Sequence, residues 1–324
     1  MPLPTLEELL ATAVDREPMV DTAGKSGALL ERVRIDGTAY VLKHLDRTRD
    51  WTLRSAGVLD GVTPTLWDRG LLGALPDCFE QPIVAVARTP VGASVLMRDV
   101  GQWLFPVSDE PISLEQHLRV LDHMARMHAA FWDAGPEIDV VPVMHRYLDL
   151  SPWTAEAEEW LGDPPLVPRL VGIGWPRLGE VAPAAYRVVG PLARDPGLLV
   201  EALADTPQTF VHGNVKLDNL GVTPEGRTVL LDWELSGRGA PASDLAWYLA
   251  INCRRLPQSK EAAIGAYREA LERHGVDTDE WWERQVALCL LGALVQFGWE
   301  KALGGYDAEL AWWEARALAA AHLL

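Results

Sequence analysis

Two periods of apolar residues run along this chain, and they occupy different regions. In the first hundred residues the pattern is short and alternating. Within ALLERVRIDGTAYVLKHL, two strand-like runs flank Asp36-Gly37, a pair suited to the left-handed backbone of a type I′ hairpin. In the second run Lys43 shares the parity of Val41 and Leu45, so the pleat points it to their side. An ammonium among inward-facing apolar residues needs an anionic partner. QPIVAVAR and ASVLMRDV predict two more strands. Thr5 to Val14 predicts a short helix, with Thr5 and Glu8 in capping-box spacing. Thr63-Pro64 opens another, over TLWDRGLLGAL.

Beyond Gly101 the period becomes helical. Ser113 and Gln116 form a capping box, followed by Leu114, Leu118, Leu121, Ala125 and His128 at three-four spacing. Residues 150–205 are punctuated by Pro and Trp and predict short helices and loops. Two short apolar strands follow, TFVH and TVLLDW. The remainder predicts three helices: Ser259 to His274, Asp277 to Leu303 with Asp277 and Glu280 as its box, and Asp307 to the end. The expectation is α+β, with a small antiparallel-sheet lobe over residues 1–100 and a larger helical lobe over 101–324.

Composition narrows the functional classes. The chain of 324 residues carries a net charge of −17 and no basic patch, which argues against nucleic acid and anionic membranes as partners. The acidity is compatible with a cationic ligand, but solubility is the better explanation of it. Cys78, Cys253 and Cys289 are far apart and lack metal-binding spacing, so buried free thiols are expected. The N-terminus lacks the basic-then-apolar pattern of a signal peptide, and no apolar run of membrane-spanning length is read from the sequence. A cytoplasmic setting is the expectation.

The chemistry concentrates in TFVHGNVKLDNLGVT and the following strand. Asn219 and Asp232 offer oxygen donors of the kind Mg²⁺ prefers. Asp232 ends a buried apolar run, where a carboxylate needs a partner. Lys216 can neutralise a phosphate oxygen. Upstream, Lys43 and the loop AGKSG supply a second cation and backbone N–H groups, which together equip the chain for a nucleoside triphosphate. Gly24-Lys25-Ser26 resembles the tail of a Walker A loop, but Met19 stands where that motif needs its first glycine.

HGNVKLDN followed by LLDWE resembles the catalytic loop and metal segment of the aminoglycoside phosphotransferase and choline kinase group, small-molecule relatives of protein kinases. DGTAYVLKHL, LMRDVG, HMARMHAAFW and SDLAWYL resemble further family segments in the same order, so the likeness covers most of the chain outside 150–205. It implies a protein-kinase-like two-lobed fold, ATP or GTP as donor, and Mg²⁺ held by Asn219 and Asp232. It implies that Lys43 contacts the α- and β-phosphates and is oriented by an acidic residue, for which Asp68 is the choice and Asp50 and Asp60 are alternatives. Gly24, Lys25, Ser26 and Gly27 would cover the phosphates, and Arg98, Asp99 and Val100 would meet the purine edge as the hinge. Asp244 would hold the catalytic loop, and His212 would be structural.

One position departs from the family pattern. Asn214 stands where the family has the catalytic Asp. An amide orients a hydroxyl but cannot carry its proton away, and loss of a general base costs about 10²–10⁴-fold in rate. Asp218 is a poorly placed substitute. The leading expectation is an O-phosphotransferase of a small hydroxylated molecule (an aminoglycoside-like antibiotic, a sugar or an amino-alcohol, with antibiotic resistance a possible role), impaired by an Asp-to-Asn change at 214. Asp149, Glu156, Glu158, Glu159, Glu280 and Glu283 are candidates to line a cationic acceptor site. The alternative is a pseudokinase that binds nucleotide as a regulatory module. A protein kinase is disfavoured because LLDWE lacks Asp-Phe-Gly. The expected assembly is a monomer or homodimer.

Overall fold

The computed structural model describes residue 8 and residues 10–19 and 24–324. The chain divides into two compact units. One joins Met1–Val107 to Leu217–Leu235, and the other joins Ser108–Lys216 to Ser236–Leu324. The segment 217–235, expected with the helical region, is thus part of the sheet-bearing unit.

The first unit is built on a five-stranded antiparallel sheet in the order β1-β2-β3-β6-β5. Its strands are β1 (Ala13–Pro18), β2 (Leu29–Ile35), β3 (Thr38–Asp46), β5 (Ile83–Thr89) and β6 (Gly92–Arg98), while Phe79–Glu80 forms the short β4. Asp36 and Gly37 both have positive φ, 49° and 80°, which joins β2 and β3 by the expected type I′ turn. One face of the sheet buries Val33, Leu42, Ala85 and Leu96 as a cluster. The opposite face of β3 carries Val41, Lys43 and Leu45, with Lys43 paired to Val95 and Val41 to Met97 of β6.

Two short helices, α1 (Trp51–Ser55) and α2 (Val62–Asp68), accompany the sheet. β8 (Leu220–Val222) and β9 (Thr228–Leu230) form an antiparallel hairpin, and β9 pairs in parallel with β4. That pairing draws 217–235 into this unit. The helix expected over Thr5 to Val14 is corrected at its end: Ala13 and Val14 are in β1 and pair with Ile35 and Arg34. Residues 5–7 and 9 lie outside the described residues. β1 is mostly exposed, so pairing with a sheet edge, rather than apolar alternation, defines it.

The second unit is helical: α3 (Leu114–Ala130), α4 (Val143–Leu148), α5 (Pro152–Trp160), α6 (Leu166–Val181), α7 (Pro183–Arg194), α8 (Gly197–Ala204), α9 (Pro241–Ile251), α10 (Lys260–Arg273), α11 (Trp282–Leu303) and α12 (Ala308–Ala320). The strands β7 (Thr209–Val211) and β10 (Gly237–Gly239) pair antiparallel within it. The Ser113–Gln116 capping box closes α3 as expected, and Ser259 caps α10. The helices of 150–205 are longer than expected, since α6 runs sixteen residues through Pro176. An internal proline costs about 3 kcal/mol, and the burial of Val171, Trp175 and Leu178 offsets it.

α11 starts later than expected, at Trp282. Asp277 instead accepts from the Asp279 amide at 3.1 Å, a local turn that competes with a helical cap. α11 is also long and apolar enough to cross a membrane, which corrects the absence of such a run read from the sequence. It is buried along most of its length, packs on α6, α9 and α12, and serves as the core helix of this unit. Cys78 and Cys289 are buried, and Cys253 is half-buried against Lys301 at 3.3 Å.

Candidate active site

The phosphate-site candidates gather in the first unit. Lys43 Nζ donates to Asp232 Oδ1 at 2.5 Å. Glu234 and Asp50 add negative charge to the same ammonium. Burial alone would lower the Lys43 pKa, but the carboxylates of Asp232 and Glu234 hold it above its ordinary value. Burial in turn raises the pKa of Glu234, against the attraction of Lys43. It does the same to Asp50, against a bond from Thr52. Three carboxyl groups therefore surround one ammonium, and burial works against the charge of two of them, Glu234 and Asp50.

Each carboxylate has its own mount. Asp50 caps α1, accepting from the Thr52 amide at 2.9 Å. Glu234 caps the start of α2, accepting from the Val62 amide at 2.7 Å and the Thr63 hydroxyl at 2.5 Å. Asp232 has φ 68°. Left-handed backbone is uncommon for a residue with a side chain and is tolerated best by Asn and Asp.

Asn219 stands at the same end of the β8–β9 hairpin. Leu220 pairs with Leu230, and the Leu231 amide donates to the Asn219 carbonyl at 2.9 Å. The register therefore leaves Asn219 one residue short of Asp232 across the ladder. Amide and carboxylate oxygens form a donor set suited to Mg²⁺, which needs only one or two protein ligands when phosphates supply the others.

The other expected residues of this unit are placed as follows. Lys25 and Ser26 carbonyls accept from the Trp51 indole at 2.9 Å and the Trp51 amide at 3.1 Å, which ties the loop Gly24–Gly27 to the start of α1. Gly27 has φ 98°, and a Cβ there would lie 2.6 Å from the Arg49 carbonyl oxygen, so only glycine fits. In the hinge segment the Arg98 amide donates to Pro82 at 2.9 Å, and the Val100 carbonyl accepts from Trp103 at 2.9 Å. The Arg98 side chain bonds Glu80 and the Gln81 carbonyl, while Asp99 pairs with Arg32 at 3.1 Å.

Asp68 requires a correction. Its carboxylate pairs with Arg88 at 2.6 Å and is half-exposed. Asp60 likewise pairs with Arg47 at 3.4 Å. The groups around Lys43 are Asp232, Glu234 and Asp50. Glu234 was missed by sequence reasoning, although it lies two residues beyond Asp232, the spacing that returns an extended chain to the same side.

The catalytic-loop candidates belong to the second unit. Asp244, fully buried on α9, accepts from the amides of His212 and Gly213, both at 2.7 Å, and contacts His128 Nε2 at 3.2 Å. Burial opposes its charge, but these bonds hold its pKa below the usual carboxylate range. His212 Nδ1 accepts from the Asn214 amide at 3.2 Å, and the Lys216 amide donates to the Asn214 carbonyl at 2.9 Å. Asn252 fastens the Val215 carbonyl at 3.1 Å. The loop is thus a built turn, with Asn214 and Lys216 half-buried upon it. His128 is a core residue with a 2.5 Å partner in the Tyr267 hydroxyl.

A cavity of about 300 Å³ lies beside this loop, reaching Gly213. None of the acidic residues proposed to line an acceptor site borders it. Asp149 and Glu158 are buried elsewhere, Glu156 pairs with Arg194 at 2.8 Å, and Glu283 lies 3.6 Å from Arg268.

Solved structures of similar fold cover nearly the whole chain. Choline kinase LicA from Streptococcus pneumoniae aligns with a TM-score of 0.55 at 12% identity, covering 98% of each chain. A thermostable mutant of aminoglycoside phosphotransferase APH(4)-Ia, in complex with ADP and hygromycin B, aligns at 0.49 and 13% identity, covering 98% of this chain and 97% of that one. An aminoglycoside-3′-phosphotransferase of type VIII aligns at 0.48 and 18% identity, over 88% and 94%. No curated protein sequence matches the chain. The fold is protein-kinase-like, with an antiparallel-sheet unit and a helical one. The model of the phosphotransferase enzyme family matches residues 101–283, more than half of the sequence, and the chain belongs to that family.

Proposed function

We propose that the protein is an ATP- or GTP-dependent O-phosphotransferase for a small hydroxylated molecule, held at low turnover by Asn214. The observation that carries the reading is the Lys43 cluster: one ammonium, a left-handed Asp232 against it, and an excess of carboxylate around both. A structural ion pair needs one carboxylate. A surplus at an accessible position suits a site that takes up a divalent cation with a polyphosphate.

Asn219 and Asp232 would hold Mg²⁺, which when bound offsets phosphate charge. Lys43 binds the α- and β-phosphate oxygens and is kept charged by its neighbours. Gly24, Lys25, Ser26 and Gly27 present backbone groups to the phosphates, and Val95 and Met97, which line a pocket with Lys43, supply apolar contact for a base. Arg98, Asp99 and Val100 border the base edge. Lys216 neutralises charge on the transferred group. Asn214 accepts a hydrogen bond from the acceptor hydroxyl and orients it. In the transfer, the bond from the γ-phosphorus to the nucleotide oxygen breaks and one to the acceptor oxygen forms. The hydroxyl proton leaves to solvent, because an amide cannot hold it. A loose transition state that relies on position and charge tolerates this defect.

Titration calorimetry with MgATP and MgGTP, with and without magnesium, tests the donor site. Magnesium-dependent nucleotide uptake is expected, and its absence refutes the reading. ADP release by Asn214→Asp across a panel of hydroxylated acceptors then tests transfer. Nucleotide binding without any acceptor-dependent release would instead identify a nucleotide-binding module.

A further inference from the structure

The cavity beside the catalytic loop differs in chemistry from an acidic site for a cationic acceptor. Its walls are largely apolar, with Val143, Val200, Leu203 and Trp247 among them. Its one bordering carboxylate is Asp244, and both Asp244 oxygens are committed to the loop amides and His128. Its cations are Arg146 and Arg238. Arg238 turns to Asp139, at 2.5 Å, and to two backbone carbonyls.

Arg146 is different. It is 6% exposed, and its guanidinium donates to the Val141 carbonyl at 3.1 Å and to the Arg238 carbonyl. Among the described residues no carboxylate forms an ion pair with it, and Asp244 acts on it only at longer range. Burial lowers its pKa to about 10, yet it remains a cation at neutral pH. Two glycines of β10 make room for it. A Cβ on Gly239 would lie 2.7 Å from one terminal nitrogen, and a Cβ on Gly237 would lie 3.1 Å from the other. The chain has therefore built a seat for a buried positive charge, at the wall of an apolar cavity, with no carboxylate in direct contact with it among the described residues. Such a charge is costly unless it is paired. Two carbonyls satisfy two of the five N–H donors of a guanidinium, and its fork matches a carboxylate or phosphate.

We infer that this cavity receives an acceptor with an apolar body and an anionic group, a hydroxy acid or its phosphate counterpart, anchored by Arg146. The inference rests on the phosphotransferase reading for the word acceptor; the binding itself does not depend on turnover. A polycation meets the wrong charge here, in contrast to the cationic acceptor for which the acidic helix residues are candidates in the sequence.

Three probes of equal size separate the possibilities: phenyllactate, neutral phenylpropanediol and cationic phenylalaninol. Calorimetric titration of the full chain is expected to rank them in that order, with the acid at least tenfold tighter than the diol, as one charge-assisted pair provides. Equal affinities, a reversed order, or no binding by any of the three overturns the inference. Arg146→Gln is expected to abolish the preference for the acid, and Arg146→Lys to restore part of it. Leu203→Trp, which fills the cavity and keeps Arg146, is expected to weaken all three probes. MgATP binding reports folding in each variant. Acid binding without ADP release from Asn214→Asp would fault the phosphotransfer reading and leave the cavity assignment standing. Release driven by hygromycin B and not by the acid would do the reverse.

Discussion

Two carboxylates, Asp232 and Asp244, stand in opposite surroundings. Asp244 is sealed and balanced: it has no exposure, and two amides and an imidazole meet its oxygens. Asp232 is partly open, sits on left-handed backbone and shares one ammonium with two further carboxylates. The first arrangement has nothing left to bind. The second lacks positive charge and is reachable from solvent. Burial by itself therefore does not mark a working carboxylate; an unbalanced local charge at an accessible place does.

The largest expected effect is on turnover. Asn214→Asp restores a proton acceptor and should raise acceptor-dependent ADP release by about 10²–10⁴-fold, measured at saturating nucleotide. An increase below tenfold would shift the weight towards a nucleotide-binding module.

Asp244→Ala removes the sealed partner and leaves the loop amides and His128 without it. Unfolding in urea should show a loss of about 3–5 kcal/mol, and an unchanged midpoint would contradict the structural role. Lys43→Met acts on the open centre. MgATP affinity should fall by about tenfold to a hundredfold, the worth of a charge-assisted contact, in calorimetry.

His117 offers a finer probe of sealed packing. It is buried against the Tyr248 hydroxyl at 2.8 Å, and burial pushes its pKa down to about 4. Below about 6.5 the unfolded chain takes up a proton that the folded chain refuses. Its contribution is thus complete above pH 6.5 and declines as pH falls towards 4, by up to about 1.4 kcal/mol per pH unit. His117→Gln should flatten that limb of the stability profile, and an unchanged slope would refute the assignment. The smallest effect is reserved for Asp68→Asn. Its exposed pair with Arg88 should contribute no more than about 0.5–1 kcal/mol, and MgATP affinity should not change. A large loss of affinity would return Asp68 to the phosphate site.

Much of this was legible because it is local. The Asp36-Gly37 turn, the caps at Ser113 and Ser259, and the inward parity of Lys43 depend on neighbours within a few residues. The motif pieces around Asn219 and Asp232 were legible as spacing. What escaped depends on distant parts of the chain. Asp68 finds Arg88 twenty residues away, and Glu234 finds Val62 across 172 residues. α6 keeps its course through Pro176 because tertiary packing supports it. The apolar lining beside Gly213 and the seat of Arg146 likewise come from segments that no short window contains.

The positive φ of Asp232 bears on what the position costs the fold. Glycine would adopt that conformation with less strain. At Asp232 the chain carries that strain together with a carboxylate held against Lys43, so the backbone of this one residue fixes where the ion pair can form.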